Sequence, residues 1–254
     1  MNLATLSAAG FDVASLNHAE AVMVRDFAKP LGELCDVLTH MQVLDSELVR
    51  GGGGESSVTQ RLRQAFTERG WKKRKMVIRK TVDGRERAAT THQIDHVRET
   101  KLGSVALEIE WNNKDPFYDR DLENFQRLHL EGAISVGVVL TRGRSLQQQM
   151  RDIVLEFALV RDIKSLHDLA QIGVTPTARQ QIMIEASGGE FAKEWARVFV
   201  ADKFGMATTH WDKLQERVRR GVGNPCPLIL IGIPSGVVAK SKQRRARTSV
   251  PLPK

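Results

Sequence analysis

Several features that would indicate a function class are missing from this 254-residue sequence. It has only two cysteines, Cys35 and Cys226, so neither a disulfide framework nor a cysteine-ligated zinc site is expected. No apolar run of about 18 residues predicts a membrane span, and the first residues lack the basic-then-apolar pattern of a signal peptide. Four glycines begin at Gly51, but no Gly-Lys-Ser/Thr follows, which excludes a P-loop and the nucleotide cofactor it would bind. We therefore expect a soluble protein of a reducing cytoplasm.

Charge is unevenly distributed along the chain, whose formal net charge is +8. Residues 1–60 carry eight acidic and three basic side chains, whereas residues 61–87 carry eleven basic and three acidic ones. This basic excess favours a polyanionic partner such as nucleic acid, and a solvated face without a partner is the alternative. The segment 240–254 contains no acidic residue and is predicted to be a flexible basic tail.

Residues 93–140 contain the three carboxylates around which the rest of the chain is predicted to be organised. Glu108 and Glu110 lie in a run that alternates like a strand, so both are predicted on one face. Like charges so close together repel, and a hard divalent cation with oxygen ligands relieves the repulsion. A hairpin with the strand predicted just upstream would put Asp95 beside Glu108. The alternative is a strand edge whose carboxylates are merely solvated.

The residues that follow these carboxylates resemble a known family. Residues 110–122 read EWNNKDPFYDRDL, and two later stretches, 208–214 (TTHWDKL) and 225–233 (PCPLILIGI), show the same likeness. All three are similar to the BglII-like branch of type II restriction endonucleases, within the PD-(D/E)XK nuclease superfamily. The resemblance extends from about residue 55 to residue 233 and is dense only between Asp95 and Arg144.

The resemblance implies an α/β fold, in which a PD-(D/E)XK nuclease core has a mixed sheet of four to five strands flanked by helices. Together with apolar helical spacing near the N-terminus, it predicts one nuclease domain over 1–239, with an N-terminal helical part over 1–50 and the catalytic core and recognition elements over 55–233. The implied activity is Mg²⁺-dependent, sequence-specific hydrolysis of double-stranded DNA by a prokaryotic, cytoplasmic homodimer. Two alternatives stay open: a repair or structure-selective nuclease with the same metal core, and a DNA-binding protein that does not cleave.

Three residues are the predicted catalytic set: Asp95, Glu108 and Glu110. The resemblance implies that Asp95 and Glu108 bind Mg²⁺ directly, with the carbonyl oxygen of Ile109 as a further candidate ligand. The superfamily usually has a lysine at the position of Glu110, so the role of this residue as general base, second-metal ligand or water holder is left open. Trp111 alternates to the opposite face and is predicted to be a core residue.

Candidates for DNA contact are Asn112, Asn113, Lys114, Arg142, Arg144 and His210. Asparagine can make a bidentate contact with adenine and arginine with guanine, while turn formation and phosphate contact are the respective alternatives. The basic run 72–75 is predicted to contact phosphate. Asp119 and Asp121 are predicted to be helix-cap and helix-terminus residues without a role in the chemistry.

Overall fold

The computed structural model describes residues 2–50 and 55–242, without the side chains of residues 87–90. The glycine run at 51–54 and the part of the predicted flexible tail from residue 243 lie outside the described residues. The α-helices of the described part are α1 (Leu3–Ala8), α2 (Ala19–Arg25), α3 (Ala28–Thr39), α4 (Asp45–Leu48), α5 (Ser57–Glu68), α6 (Phe117–Leu130), α7 (Arg144–Val160), α8 (Leu166–Gln171), α9 (Ala178–Ser187), α10 (Phe191–Lys203) and α11 (Trp211–Arg219).

The strands form a mixed six-stranded sheet and a separate two-stranded ribbon. They are β1 (Asp12–Leu16), β2 (Val43–Leu44), β3 (Lys72–Val82), β4 (Arg85–Thr100), β5 (Gly103–Glu110), β6 (Val136–Arg142), β7 (Leu228–Ile233) and β8 (Val238–Ala239). The order in the large sheet is β1-β7-β6-β5-β4-β3, and β5, β6 and β7 are mutually parallel. The α/β architecture predicted from the sequence is confirmed, but the large sheet has six strands rather than four to five.

The additional strand, β1, lies in the N-terminal segment that was predicted to be helical. It pairs antiparallel with β7, from Asp12 opposite Gly232 to Leu16 opposite Leu228. Most of its five residues are half-buried, so it has neither the apolar run of a central strand nor a clean alternation. It pairs with the backbone of β7 and is itself a short edge strand of the sheet.

A bulge in the β3–β4 hairpin determines where Asp95 lies. Between the pairs Lys72–Val97 and Arg74–Ile94, β4 contains two residues where β3 contains one. Ile94 and Val97 both belong to the apolar cluster beneath α6, although strict alternation would turn them to opposite faces. The bulge lets Ile94 and Val97 face the same side of the sheet. It also changes the direction of Asp95, which lies between them, and bulges often change side-chain directions in this way.

Helices cover both faces of the sheet. Helix α6 connects β5 to β6 and packs Leu122, Phe125 and Leu128 against one face. The other face is covered by α3, α5, α7 and α10, whose buried residues join the strands in one apolar cluster. The carboxyl ends of the parallel strands meet at one edge, where ligands usually bind in open α/β sheets.

The N-terminal helices share this core with the central strands of the sheet. The larger apolar cluster includes Leu6 of α1 and Leu34 of α3 together with Val138 of β6. A single domain requires such a shared core, and the boundary at residue 239 stays a prediction. None of the helices in the described residues is long and apolar enough to cross a membrane.

Candidate active site

The strand β5 and the bulge in β4 bring the three predicted carboxylates together. Ala106 packs in the cluster under α6, and alternation places Glu108 and Glu110 on that same face, where they are 6% and 3% exposed. The pairing of β4 with β5 ends at His96 opposite Leu107, so Asp95 and Glu108 are the next residues on neighbouring strands. The hairpin predicted from the sequence is therefore confirmed.

Asp95 differs from the two glutamates in its exposure and its partner. About half of its side chain is exposed, and its Oδ1 lies 3.1 Å from the Nζ of Lys73, the β3 residue opposite the bulge. Lys73 belongs to the basic run that was predicted to contact phosphate. An exposed lysine thus compensates the one carboxylate of the cluster that faces solvent.

Helix α6 adds a fourth carboxylate, Asp121, which the sequence interpretation misplaced. The helix begins at Phe117, so Asp121 lies in its second turn and is 1% exposed rather than at a terminus. Its Oδ1 accepts a hydrogen bond from Nε of Arg120 at 2.9 Å and lies 2.8 Å from Nη2 of the same guanidinium. The same Nη2 lies 3.8 Å from Oε1 of Glu110, so one guanidinium joins two carboxylates. The predicted cap, Asp119, lies within the first turn and is instead 3.5 Å from Arg217.

A signal for Asp121 was present in the sequence. The buried positions of α6 are Tyr118, Asp121, Leu122, Phe125 and Leu128, an apolar stripe at helical spacing interrupted by one aspartate. A carboxylate in the middle of such a stripe is a buried charge, and buried charges need a partner or an ion.

Burial makes these carboxylates reluctant to ionise. Burial raises the pKa of Glu110 to about 9, and the charge of Asp121 and a hydrogen bond with it add to the rise. The pKa of Glu108 is also raised, by burial first and then by the charges of Asp121 and Asp95. Burial raises the pKa of Asp121 as well. The cluster therefore favours any cation or proton that reduces its negative charge.

The donor set fits a hard divalent cation. In residues 2–50 and 55–242, no three His, Cys, Asp or Glu side chains stand close enough to form a ready-made metal cage. The groups that are present are nevertheless carboxylate oxygens, which Mg²⁺ prefers. Among the described residues, Oδ2 of Asp121 is buried and receives no hydrogen bond from any N–H or hydroxyl group.

Three predicted DNA contacts follow β5 directly at the edge of the cluster. Asn113 is exposed, and its Nδ2 donates a 2.8 Å hydrogen bond to Oε2 of Glu110. Its backbone oxygen accepts from the N–H of Thr209 at 2.8 Å. Asn112 is half-buried and Lys114 is exposed. The asparagine predicted to read bases thus also touches the acidic cluster.

Comparison with protein families decides between the readings that the sequence left open. The family described as restriction endonuclease BglII/BglIII matches residues 11–233, which is most of the chain. The chain belongs to this family. It is therefore a type II endonuclease that cuts double-stranded DNA at specific sequences. The match begins well before residue 55, where the resemblance read from the sequence began, and so includes β1. No curated protein matches the chain.

Within the endonuclease, Arg142 occupies a position quite unlike that of a surface DNA contact. It is fully buried at the end of β6, and its guanidinium is 5.0 Å from the ring centre of Phe204. Burial lowers its pKa to about 10, so it remains charged at neutral pH. Its hydrogen bonds go to the carbonyl of Trp111 (2.7 Å), the side chains of Gln147 (2.5 Å) and Thr208 (2.6 Å), and the carbonyl of Thr209 (2.7 Å). This side chain joins the end of β5 to the segment before α11.

The other two candidates lie outside the carboxylate cluster. Arg144 begins α7 with half its side chain exposed, and it pairs with Asp12 (3.8 Å) and Asp212 (3.3 Å). His210 precedes α11 and is 1% exposed. Neither of its ring nitrogens has a hydrogen-bond partner among the described residues, and burial lowers its pKa. The core residue predicted at Trp111 is buried as expected.

Proposed function

We propose that the endonuclease hydrolyses phosphodiester bonds with Mg²⁺ bound by Asp95 and Glu108. The observation that supports this is the meeting of four carboxylates from β4, β5 and α6 at the carboxyl end of a central strand. When bound, Mg²⁺ would polarise the scissile phosphate and lower the pKa of the attacking water. The carbonyl oxygen of Ile109, whose side chain packs into the core on the opposite face, is a further candidate ligand.

The role that we propose for Glu110 is to orient the attacking water. Asn113 donates to one of its carboxylate oxygens, and Arg120 lies 3.8 Å from the other. Two fixed neighbours restrict the rotamer of the side chain, which is what a residue needs to position a water molecule. The pKa of Glu110 is raised to about 9, and the positive charge of a cation bound nearby would lower it and favour the carboxylate form.

For DNA recognition we propose that the candidate residues have two different roles. Asn112, Asn113, Lys114 and Arg144 are at least partly accessible and are kept as contacts to bases or phosphates. Arg142 and His210 are buried, so we assign them the role of supporting the loops that carry these contacts. The basic side chains at 72–75 of β3 are exposed, and Lys73 lies 3.1 Å from Asp95, so this run would contact phosphates near the cleavage site.

We further propose that two copies act together in the prokaryotic cytoplasm. One chain carries one carboxylate cluster and can cleave one strand, so cutting a duplex at a palindrome calls for two chains related by a two-fold axis. Sedimentation analysis of the full chain, alone and with a duplex that contains its site, tests this. A single chain on a cleaved duplex would contradict the dimer.

The decisive experiment is incubation with plasmid DNA in Mg²⁺ or in EDTA. We expect discrete fragments in Mg²⁺ and none in EDTA, and sequencing of the fragment ends then gives the recognition site. Glu108→Ala should be inactive, whereas Glu99→Ala, which removes an exposed carboxylate paired with Arg74 on the same hairpin, should cleave normally. Cleavage that persists in EDTA would contradict the metal mechanism, and nicks or smears would favour a structure-selective nuclease.

A further inference from the structure

We propose that the outer face of the β3–β4 ribbon binds the sugar–phosphate backbone of duplex DNA beyond the cleavage site. The outer face consists of the side chains that alternate away from α6, namely Lys75, Val77 and Arg79 of β3 and Thr91 and Gln93 of β4. The proposal rests on the position of cleavage proposed above, at Asp95 and Glu108. It extends DNA contact from the basic run at 72–75 to a surface that continues along the duplex.

The ribbon is the part of the hairpin that lies outside the central sheet. The pairing of β4 with β5 ends at His96, so the earlier part of β4 pairs with β3 alone. Because successive strand residues point to opposite faces, the ribbon has an inner and an outer face. On the inner face, Met76 and Ile78 pack against the apolar cluster beneath α6, and Nδ1 of His92 lies 2.7 Å from Oδ1 of Asn124 in α6. Helix α6 therefore holds the inner face and leaves the outer face turned to solvent.

The outer face carries the groups that bind a phosphate backbone. All of its side chains are exposed, even the apolar Val77 at 47%. Lys75 has no ion-pair partner in the part of the chain that the structure describes, and the nearest acid to Arg79 is the exposed Glu86, 3.9 Å from Nε. Thr91 adds a hydroxyl group opposite Val77. Free basic and hydroxyl groups are typical contacts to phosphate and sugar, which are not specific for sequence.

The position of the ribbon places these contacts outside the recognition residues. In the sheet, β4 and β3 lie on the side of β5 away from β6, whereas the candidate base contacts follow β5 and β6. Lys73 lies 3.1 Å from Asp95, and Arg79 is six residues further along β3. At about 3.4 Å per residue this is roughly 20 Å, or about six base pairs. We therefore place Arg79 beside the flanking duplex.

The competing explanation is a solvated basic face that attracts DNA only through its net charge. Arg79→Ala and Lys80→Ala separate the two explanations, because these neighbours point to opposite faces of the ribbon. Their side chains are 69% and 66% exposed, and Lys80 pairs with Glu131 at 3.2 Å as Arg79 does with Glu86. Each variant loses one positive charge and leaves one exposed acid unpaired. General attraction predicts equal effects, whereas contact through the outer face predicts an effect of Arg79→Ala alone.

The first test is binding of the full chain to a random-sequence duplex over a range of salt concentrations. At about 0.15 M salt we expect Arg79→Ala to bind about fivefold more weakly than the parent, and the slope of log affinity against log salt concentration to become shallower by about 0.9. Lys80→Ala should stay within about twofold of the parent. Equal losses in the two variants, or no loss in Arg79→Ala, overturn the proposal.

The second test measures binding in Ca²⁺ to cognate duplexes, identified from fragment ends, whose flanks are trimmed from about ten to about two base pairs beyond the cut. The trimmed duplex should bind the parent and Arg79→Ala equally, because the phosphates that Arg79 contacts are gone. A difference that persists on the trimmed duplex overturns the placement on flanking DNA. Plasmid cleavage in EDTA would overturn the metal mechanism and leave this proposal standing, since the random duplex is bound without being cut.

Discussion

Replacing Arg142 by alanine tests whether this residue braces the fold or reads DNA. Its guanidinium is buried and makes four hydrogen bonds that connect β5, α7 and the segment before α11. The sequence pattern, a basic residue at the carboxyl end of a buried strand, had suggested DNA contact. The two roles predict different effects of the substitution. Loss of a structural residue lowers the free energy of unfolding, whereas loss of a DNA contact lowers only the affinity for DNA.

The expected cost follows from the acceptors that the truncation leaves behind. The carbonyls of Trp111 and Thr209 and the amide oxygen of Gln147 lose their donor, and each buried acceptor left without a partner costs about 1–3 kcal/mol. Water entering the vacated space offsets part of this. We therefore expect Arg142→Ala to lower the free energy of unfolding by about 3–5 kcal/mol, a large share of the stability of a typical domain.

Arg144→Ala is the matched control. It removes the same side chain two residues later, where half of it is exposed and its ion pairs with Asp12 and Asp212 lie at the surface. Such pairs contribute less than about 1 kcal/mol. Urea unfolding followed by circular dichroism measures both variants. A loss below about 1 kcal/mol for Arg142→Ala, together with weakened DNA binding, would refute the bracing role.

Three further predictions concern catalysis and DNA contact. Asp95→Ala and Glu108→Ala should abolish plasmid cleavage. Both variants should bind a duplex as well as the parent or better, because a negative charge facing phosphate is removed. Plasmid cleavage within tenfold of the parent's would contradict the ligand assignment. Glu110→Ala should be severely impaired in the same assay and Glu110→Lys less so, whereas a lysine variant no better than alanine would indicate a carboxylate that binds metal. In a filter-binding titration, Lys75→Ala should weaken the affinity for cognate and random duplexes equally. The slope of log affinity against log salt concentration should become shallower by about one. A loss confined to the cognate duplex would count against phosphate contact.

Much of the fold could be predicted because its strands and helices carry strong local signals. Residues 133–140 read as a strand buried on both faces, and β6 occupies the end of that run. Serine favours the N-cap position, and the hydroxyl of Ser56 accepts from the N–H of Thr59 at 3.1 Å to begin α5. The strand β1 was missed because its stability comes from pairing with β7, more than 200 residues away, and not from its own five residues.

The site was predictable only where one strand carries it. The alternation of β5 placed Glu108 and Glu110 together, and a hairpin was enough to bring Asp95 near them. The bulge that turns Asp95 toward α6 depends on tertiary packing and left no pattern to read. The burial of Asp121 and Arg142 was not foreseen for the same reason: the sequence shows a charge near a strand or helix end but not whether the fold buries it.

Asn113 connects the two parts of the site, because the residue expected to read a base already holds Glu110. Its amide has two N–H groups and one oxygen, and one N–H donates to Glu110 at 2.8 Å. The remaining N–H and the oxygen suffice for a bidentate contact with adenine. The same side chain can therefore bind a base and fix the catalytic carboxylate at once.

We accordingly expect Asn113→Ala to impair recognition and cleavage together. Against the cognate duplex, identified from fragment ends, binding in Ca²⁺ should weaken by about 1–3 kcal/mol, with a smaller loss on random DNA. Single-turnover cleavage at saturating DNA should also slow, because Glu110 loses the donor that restricts its rotamer. Equal binding losses on both duplexes would remove Asn113 from base recognition. An unchanged single-turnover rate would show that its hydrogen bond to Glu110 has no part in the chemistry.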